Sequence, residues 1–433
     1  MSQLNKKLNL YGLTMIAIGS CIGSGIFVAA ADIVKLIPNP TLILMVWALG
    51  GLIALTGALT FAELGSLFPK AGGVYVYIKE AYGEMAGFLY GWVILLVINT
   101  GALAALTVAF TEYLTFFIPL SGVMKLVVSV ALISGLTIIN ILGVNISQIF
   151  ANVFTGLKLL AIIGIIVVGF IFYEPTNVNL DFSIAHTPDN LIQSMLVALI
   201  GVLFSLGGWH HTSYLSGEAI NAKRTVPLAM VIGVLVVTII YLFVNLSYML
   251  LLPLDVIAGT EKVAGDAVAS VIPFGGKLVT IAISISIFGT IGIYTMTAPR
   301  IYFAMAKDGI FFPSLAYIHP KYKTPIYAMI VQAVWAIVLL LLMKSFGKLI
   351  TYVTFMDIVF MILAGVSIFI FRKRLKDQER LVKTPAYPIV PLIFILIASA
   401  FVISTLIEKP VQALGGLGVL ALGLPVYFYF KRK

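Results

Sequence analysis

Apolar residues run through this chain in unbroken stretches of roughly 20, the length an α-helix needs to cross a bilayer, and the charges and prolines collect between them. Within the stretches apolar and polar positions do not alternate, so the pattern predicts membrane helices and not the strands of a barrel. About twelve spans can be read from these runs. They begin near Leu10, Thr41, Met85, Val123, Ser147, Leu191, Pro227, Gly276, Pro325, Gly347, Ala386 and Pro410. The connections are mostly short; the longer ones cover 174–190, 253–275, 307–324 and 372–385.

Two spans hold weak helix formers at their centres. In the first, "IAIGSCIGSGIFV" (16–28) contains Gly19, Gly23 and Gly25 together with Ser20 and Ser24; in the sixth, "VLFSLGGWHH" (202–211) contains Gly207 and Gly208. Glycine costs about 1 kcal/mol against alanine inside a helix. One such stretch alone reads most simply as a close-packing surface between helices. Two interruptions five helices apart, each followed by an aromatic residue (Phe27 and Trp209), point instead to an inverted-repeat transporter with its site at the membrane midplane. Helices one to five (1–173) would form the first repeat and helices six to ten (174–372) the second, with two peripheral helices over 373–433. No useful residue identity links the halves, so this division rests on the position of the breaks. Unwound backbone is tolerated at membrane depth only where it lines a cavity. The N–H groups freed at the start of an outer half-helix suit an anion. The carbonyls freed at the end of an inner half-helix suit a cation. A zwitterionic α-amino acid offers both charges, and glycine lets it approach the backbone closely.

Composition agrees with the pattern. The 433 residues are 61% hydrophobic and only 10% charged, and the mean hydropathy is +1.11, far from a soluble domain of this length. The net charge of +10 does not imply nucleic acid, because the basic residues sit at helix ends and form no basic face. They orient the chain instead. With Lys6 and Lys7 in the cytoplasm, nineteen of the 27 Lys and Arg fall on the inner side, including Arg372, Lys373, Arg374, Lys376, Arg380 and Lys383, and both termini are cytoplasmic. The first run carries no cleavage site of the usual kind and reads as a retained helix. The single cysteine, Cys21, excludes an intramolecular disulfide.

Four segments resemble a known family. "GSCIGSGIF" with "LFSLGGW", "AELGSLFPKAGGVYVYIKEAYG" (62–83), "GEAINAKRTVPLA" (217–229) and "RIYFAMAKDGIFFP" (300–313), followed by His319 and Thr324-Pro325, occur in the order and spacing of the amino acid–polyamine–organocation superfamily. The resemblance is strongest to its L-type amino acid transporter branch and covers nearly the whole chain. It implies ten helices in two inverted five-helix repeats plus two peripheral ones. It also implies roles: Ser24 and Gly25, beside Gly23, for the substrate carboxylate; the carbonyls of Cys21, Phe204 and Gly207, beside Ser205 and Leu206, for the ammonium; Phe204 as the gate over the ligand, with Trp209. The chain departs from the family where Leu206, Gly292 and Ile358 stand in place of a common tyrosine, asparagine and tryptophan, which bears on side-chain preference. Animal members pair with a single-span glycoprotein through a disulfide. Cys21 lies inside a helix, so this chain is expected to work without a partner subunit.

Charges inside the spans are costly and mark function or special packing. Lys158, in the fifth span, either snorkels to the cytoplasmic interface or contacts carbonyls of the broken first helix with Ser286 or Thr290 of the eighth. The L-type resemblance implies the second arrangement, with the ammonium replacing a sodium ion; proton coupling through Lys158 stays open. Glu63, Glu218 and Arg300 lie at cytoplasmic helix ends, and the resemblance, which places them near one another, implies that they form one cytoplasmic gate network. Asp32 and Glu112 read as solvated outer-end charges, and Asp357, deeper in the tenth helix, as a group for which packing, a polar network and a role in transport all stay open. His210 and His211 lack the acidic or cysteine neighbours of a metal site, and no nucleotide loop, catalytic triad or carboxylate pair occurs. The chain is thus expected to be no enzyme and to need no cofactor. A channel would need a continuous polar lining. The expected function is sodium-independent exchange of neutral L-α-amino acids across the plasma membrane, with proton-coupled symport and cationic amino acid or polyamine transport as alternatives.

Overall fold

The computed structural model describes residues 4–175, 180, 182–183, 190–342 and 346–431; its regular elements among these are helices, with one isolated parallel bridge between Leu8 and Ala219. The first span is two helices, α1 (Leu10–Cys21) and α2 (Gly25–Leu36). Then come α3 (Pro40–Leu67), the short α4 (Val74–Tyr82), α5 (Glu84–Thr115), α6 (Gly122–Ile141) and α7 (Val144–Ile171). The second interrupted span is α8 (Leu191–Ser205) and α9 (His211–Tyr214). After α10 (Ala222–Leu251), the connection folds into α11 (Leu254–Gly259) and α12 (Val263–Ala269). The chain ends with α13 (Gly275–Lys307), α14 (Ile326–Leu342), α15 (Phe346–Arg374), α16 (Ile389–Glu408) and α17 (Pro410–Lys431).

Among the described residues nine helices are long and apolar enough to cross a membrane, and α1, α8 and α14 are shorter apolar helices. Their starts follow local chemistry. Asn9 and Asn39 each turn a side-chain oxygen onto a free N–H of the first turn, at Gly12 and Leu42, and Pro40 occupies the first helical position of α3, where it has no N–H to lose. The outward faces of α6 and α7 expose Val123, Val127, Ile138, Ile149, Leu160 and Ile171. So much apolar surface is stable only against lipid, and the protein is a multi-pass membrane protein.

The broken helices occupy the centre. α1 packs against α7, α10 and α13, and α2 packs against α8. α3 packs along α10, while α16 and α17 lie outside, against α3, α5 and α15. α5 is interrupted by a π-helical turn, Ile94–Ile98, which widens the helix where it faces the centre and aims Asn99 inward.

Candidate functional site

Both interruptions border one cavity of about 100 Å³. The first break supplies Ser20, Cys21, Gly23, Ser24 and Gly25, and the second supplies Phe204, Ser205, Gly207 and Gly208. Two wider clefts lead outward from it: Ser24 borders both, and Gly25, Phe204 and Thr354 border the second.

Local geometry explains each break. α1 stops at Cys21; Ile22 N–H still reaches Ile18 O, but Gly23 N–H turns back to Cys21 O at 3.0 Å. α2 then starts at Gly25 with Ser24 in front of it, and no side chain caps its first turn. Its leading N–H groups are left for something in the cavity. α8 ends with Leu206 N–H on Val202 O and Gly207 N–H on Phe204 O at 3.2 Å. Gly208 takes φ +104°, and a Cβ there would lie 2.6 Å from Ser20 O. That position combines a left-handed conformation with a backbone crossing, which no side chain tolerates.

Three contacts tie the breaks together. Ser20 Oγ donates to Gly208 O at 2.9 Å. The Tyr241 hydroxyl lies 3.3 Å from Cys21 O and 3.2 Å from Ser205 O. Gly25 meets Ser205 so closely that a Cβ would sit 2.8 Å from Ser205 Oγ and 3.0 Å from its Cα. The Cα is backbone and cannot swing away. Gly25→Val is therefore expected to wedge α2 from α8, and uptake should fall to background while the protein still inserts. Wild-type uptake by that variant would show that this approach is dispensable.

Lys158 is buried to 1% exposure and does not snorkel. Its Nζ donates to Gly19 O at 2.9 Å, Ile22 O at 2.8 Å and Thr290 Oγ1 at 2.9 Å, using all three ammonium protons. The two carbonyls are the free end of α1, where a cation is favoured. Ser286 shares the Ile22 carbonyl with Lys158: its Oγ donates to Ile22 O at 3.2 Å and lies 3.4 Å from Gly23 O.

Several residues expected together are apart. Leu206 is buried beside Gly50, and Trp209 packs edge-on against Phe61 at 5.2 Å and close to Gly57, so neither borders the cavity. Glu218 pairs with Arg300, at 2.7 and 2.8 Å, both fully buried. Glu63 stands in a separate network: its carboxylate takes Arg372 at 2.7 and 2.9 Å, Arg380 at 3.1 Å and the Thr384 N–H at 2.7 Å. Two basic residues that read as topology signals thus secure α3 to the last turn of α15 and to the connection that follows it. Glu112 pairs with Lys125 at 2.8 Å and Asp32 with Lys35 at 3.6 Å, all partly solvated.

The cavity wall also holds Asn99 and Tyr214, which no motif singled out, beside His211 of the second interrupted segment. Asn99 donates to Gln332 Oε1 at 3.0 Å. His211 shares a 2.7 Å hydrogen bond with Thr297 and stacks on Tyr294 at 4.2 Å. Tyr90 and Tyr214 share a 2.8 Å hydroxyl pair. The signal available for them was the presence of amide, imidazole and phenol groups inside apolar spans. At Gly292, where the family's asparagine is common, the ring of Phe150 fills the space a side chain would take.

Comparison with protein families matches residues 8–421 to the amino acid permeases. The serine/threonine exchanger SteT of Bacillus subtilis (strain 168) is 33% identical over 99% of this chain and 98% of its own. The large neutral amino acids transporter small subunit 2 of Mus musculus is 32% identical over 99% of this chain and 82% of its own. The b(0,+)-type amino acid transporter 1 of Mus musculus is 29% identical over 99% and 88%. With the family matched over nearly its whole length and its broken helices closing on one cavity, the chain belongs to the amino acid permeases of the amino acid–polyamine–organocation superfamily, and is an amino acid transporter and not an enzyme.

Proposed function

We propose that this protein exchanges neutral L-α-amino acids across the plasma membrane, independently of sodium, by alternating access. The observation that carries the reading is the juxtaposition of the uncapped start of α2 with the end of α8 around one cavity. Ser24 and Gly25, with Gly23, hold the carboxylate. The carbonyls of Cys21, Phe204 and Gly207 accept from the ammonium, although Cys21 O and Phe204 O already take the N–H of Gly23 and Gly207 and keep only remaining lone-pair capacity. Phe204, half-buried between the cavity and an outward cleft, is the outer lid.

Twelve spans in two inverted repeats, 1–173 and 174–372, with 373–433 peripheral, account for the paired breaks. In this arrangement both termini are cytoplasmic, the Glu218–Arg300 pair closes the inner end, and Lys158 stands where a sodium ion would otherwise be held. Exchange is favoured over symport by the fully hydrogen-bonded ammonium of Lys158 and by the similarity to SteT, a relative named as an exchanger. The protein acts without a partner subunit.

Proteoliposomes test the reading. Labelled neutral amino acid should enter vesicles preloaded with unlabelled amino acid, equally well in sodium and in choline medium. Entry into empty vesicles at the same rate would argue for a channel or uniporter. Accumulation that requires sodium would remove Lys158 from its assigned place.

A further inference from the structure

One wall of the cavity has chemistry that an α-amino acid backbone does not use. Asp357 of α15 borders it together with His210 and Tyr214 from beyond the second break, and with Asn99 of α5. The Asp357 side chain is 20% exposed, toward the cavity it lines. Its Oδ1 has no hydrogen-bond partner among the described protein groups and is itself covered, so a turn of the carboxylate about its terminal torsion, which is broad and two-fold, is what presents it to the cavity. His210 Nε2 lies 3.8 Å from that oxygen, beyond hydrogen-bond reach. A buried acceptor left in this state costs free energy, and more so for a carboxylate. A polar group at membrane depth that its own fold leaves unserved is a place for a ligand's donor.

Resting on the exchange reading above, we propose that Asp357, with His210 beside it, reads the substrate's side chain and selects a short hydroxyl-bearing amino acid of the serine and threonine class. The carboxylate accepts a hydrogen bond from the substrate hydroxyl, while the two helix breaks hold the α-carboxylate and α-ammonium. Size limits the choice. At about 10–15 Å³ for each enclosed water-sized atom, the cavity of about 100 Å³ takes roughly seven to ten heavy atoms, which spans serine and threonine and leaves the hydroxyl contact, not size, to separate them from apolar amino acids of similar bulk. Arginine exceeds it. An apolar side chain of the same size fits but leaves Oδ1 unserved, so the site discriminates against alanine by the missing hydrogen bond.

Competition against labelled alanine exchange tests this on the wild-type protein. L-Serine and L-threonine should compete about tenfold better than L-alanine, the worth of a hydrogen bond to a charged group. O-Methyl-L-serine keeps the oxygen and loses the donor, and should compete no better than alanine. L-2,3-Diaminopropionate competing better than serine would make the carboxylate a counter-ion and overturn the proposal. Equal competition by serine, alanine and O-methylserine would overturn it as well, with exchange itself intact. Absence of any amino acid exchange would instead fail the parent reading. In the protein, Asp357→Asn and Asp357→Ala should each lower the serine-to-alanine ratio toward one. A ratio unchanged in both variants would show that Asp357 does not face the side chain.

Discussion

Lys158→Ala is expected to reduce amino acid exchange by about tenfold or more while the protein still inserts and can be purified. The ammonium joins three elements, α7 through its own backbone, the free end of α1 through Gly19 O and Ile22 O, and α13 through Thr290. Hydrogen bonds to a charged group contribute about 1.5–3 kcal/mol each, and truncation leaves two buried carbonyls without their cation. Thr290 Oγ1 also lies 2.9 Å from Ile22 O and 3.2 Å from Gly19 O, so the hydroxyl recovers one bond and the end of α1 stays loosely tethered. The expected phenotype is therefore a lost coupling between substrate site and helix movement, not an unfolded protein. Binding measured by ligand-dependent thermal shift should weaken less than exchange does. A fixed ammonium also predicts exchange nearly indifferent to a pH gradient in the wild type. Uphill accumulation into empty vesicles driven by an inward proton gradient, erased in Lys158→Ala, would establish proton coupling in its place. Lys158→Ala exchanging at the wild-type rate would leave the ammonium a packing role only.

Much of the architecture is readable in advance because the bilayer allows so few solutions. A helix must satisfy its own backbone at membrane depth, so long apolar runs place α3, α5 and α10 directly, and weak formers such as Gly25 and Gly208 place the breaks. What the pattern omits is direction. Leu206 and Trp209 stand next to the cavity residues Ser205 and Gly208 in sequence, yet the chain leaves helical geometry there and turns them toward Gly50 and Phe61. Outside a regular helix, neighbouring positions no longer predict neighbouring faces. Partners remote in sequence are equally hidden. Glu63 finds Arg372 and Arg380 through tertiary packing of α3 with the last turn of α15 and the connection that follows it, and nothing local distinguishes those arginines from other basic residues at helix ends. Asp357 and His210 are visible as polar groups in apolar runs, but only the packing of α15 beside the second break brings them to one wall.

Glu218→Gln and Arg300→Met are each expected to destabilise the folded protein by about 3–5 kcal/mol, because each strands its partner's charge in a fully buried place. The surroundings leave no substitute. Arg300 Nε and Nη2 both face the Glu218 carboxylate, and Nη1 is held by Met296 O within the same helix. The segment around Glu218 is itself a clasp: its carbonyl accepts the N–H groups of Lys7 and Leu8 at 2.9 and 3.0 Å, and Ile220 N–H returns to Leu8 O at 2.8 Å. The chain ahead of α1 is thereby stitched to the loop beyond the second break, and α13 is bolted to both. Breaking the pair should loosen the N-terminal end of the protein before any other part. Substituting both residues removes the stranded charge as well as the bond, so Glu218→Gln with Arg300→Met should cost clearly less than the two single effects added together. A thermal-unfolding cycle in detergent measures that difference, read together with proteolysis of the segment before α1. The singles should melt earlier and be cut sooner, with the double variant partly restored in both. Strictly additive effects would mean that the two groups are stabilised independently and that the pair does not act as one latch.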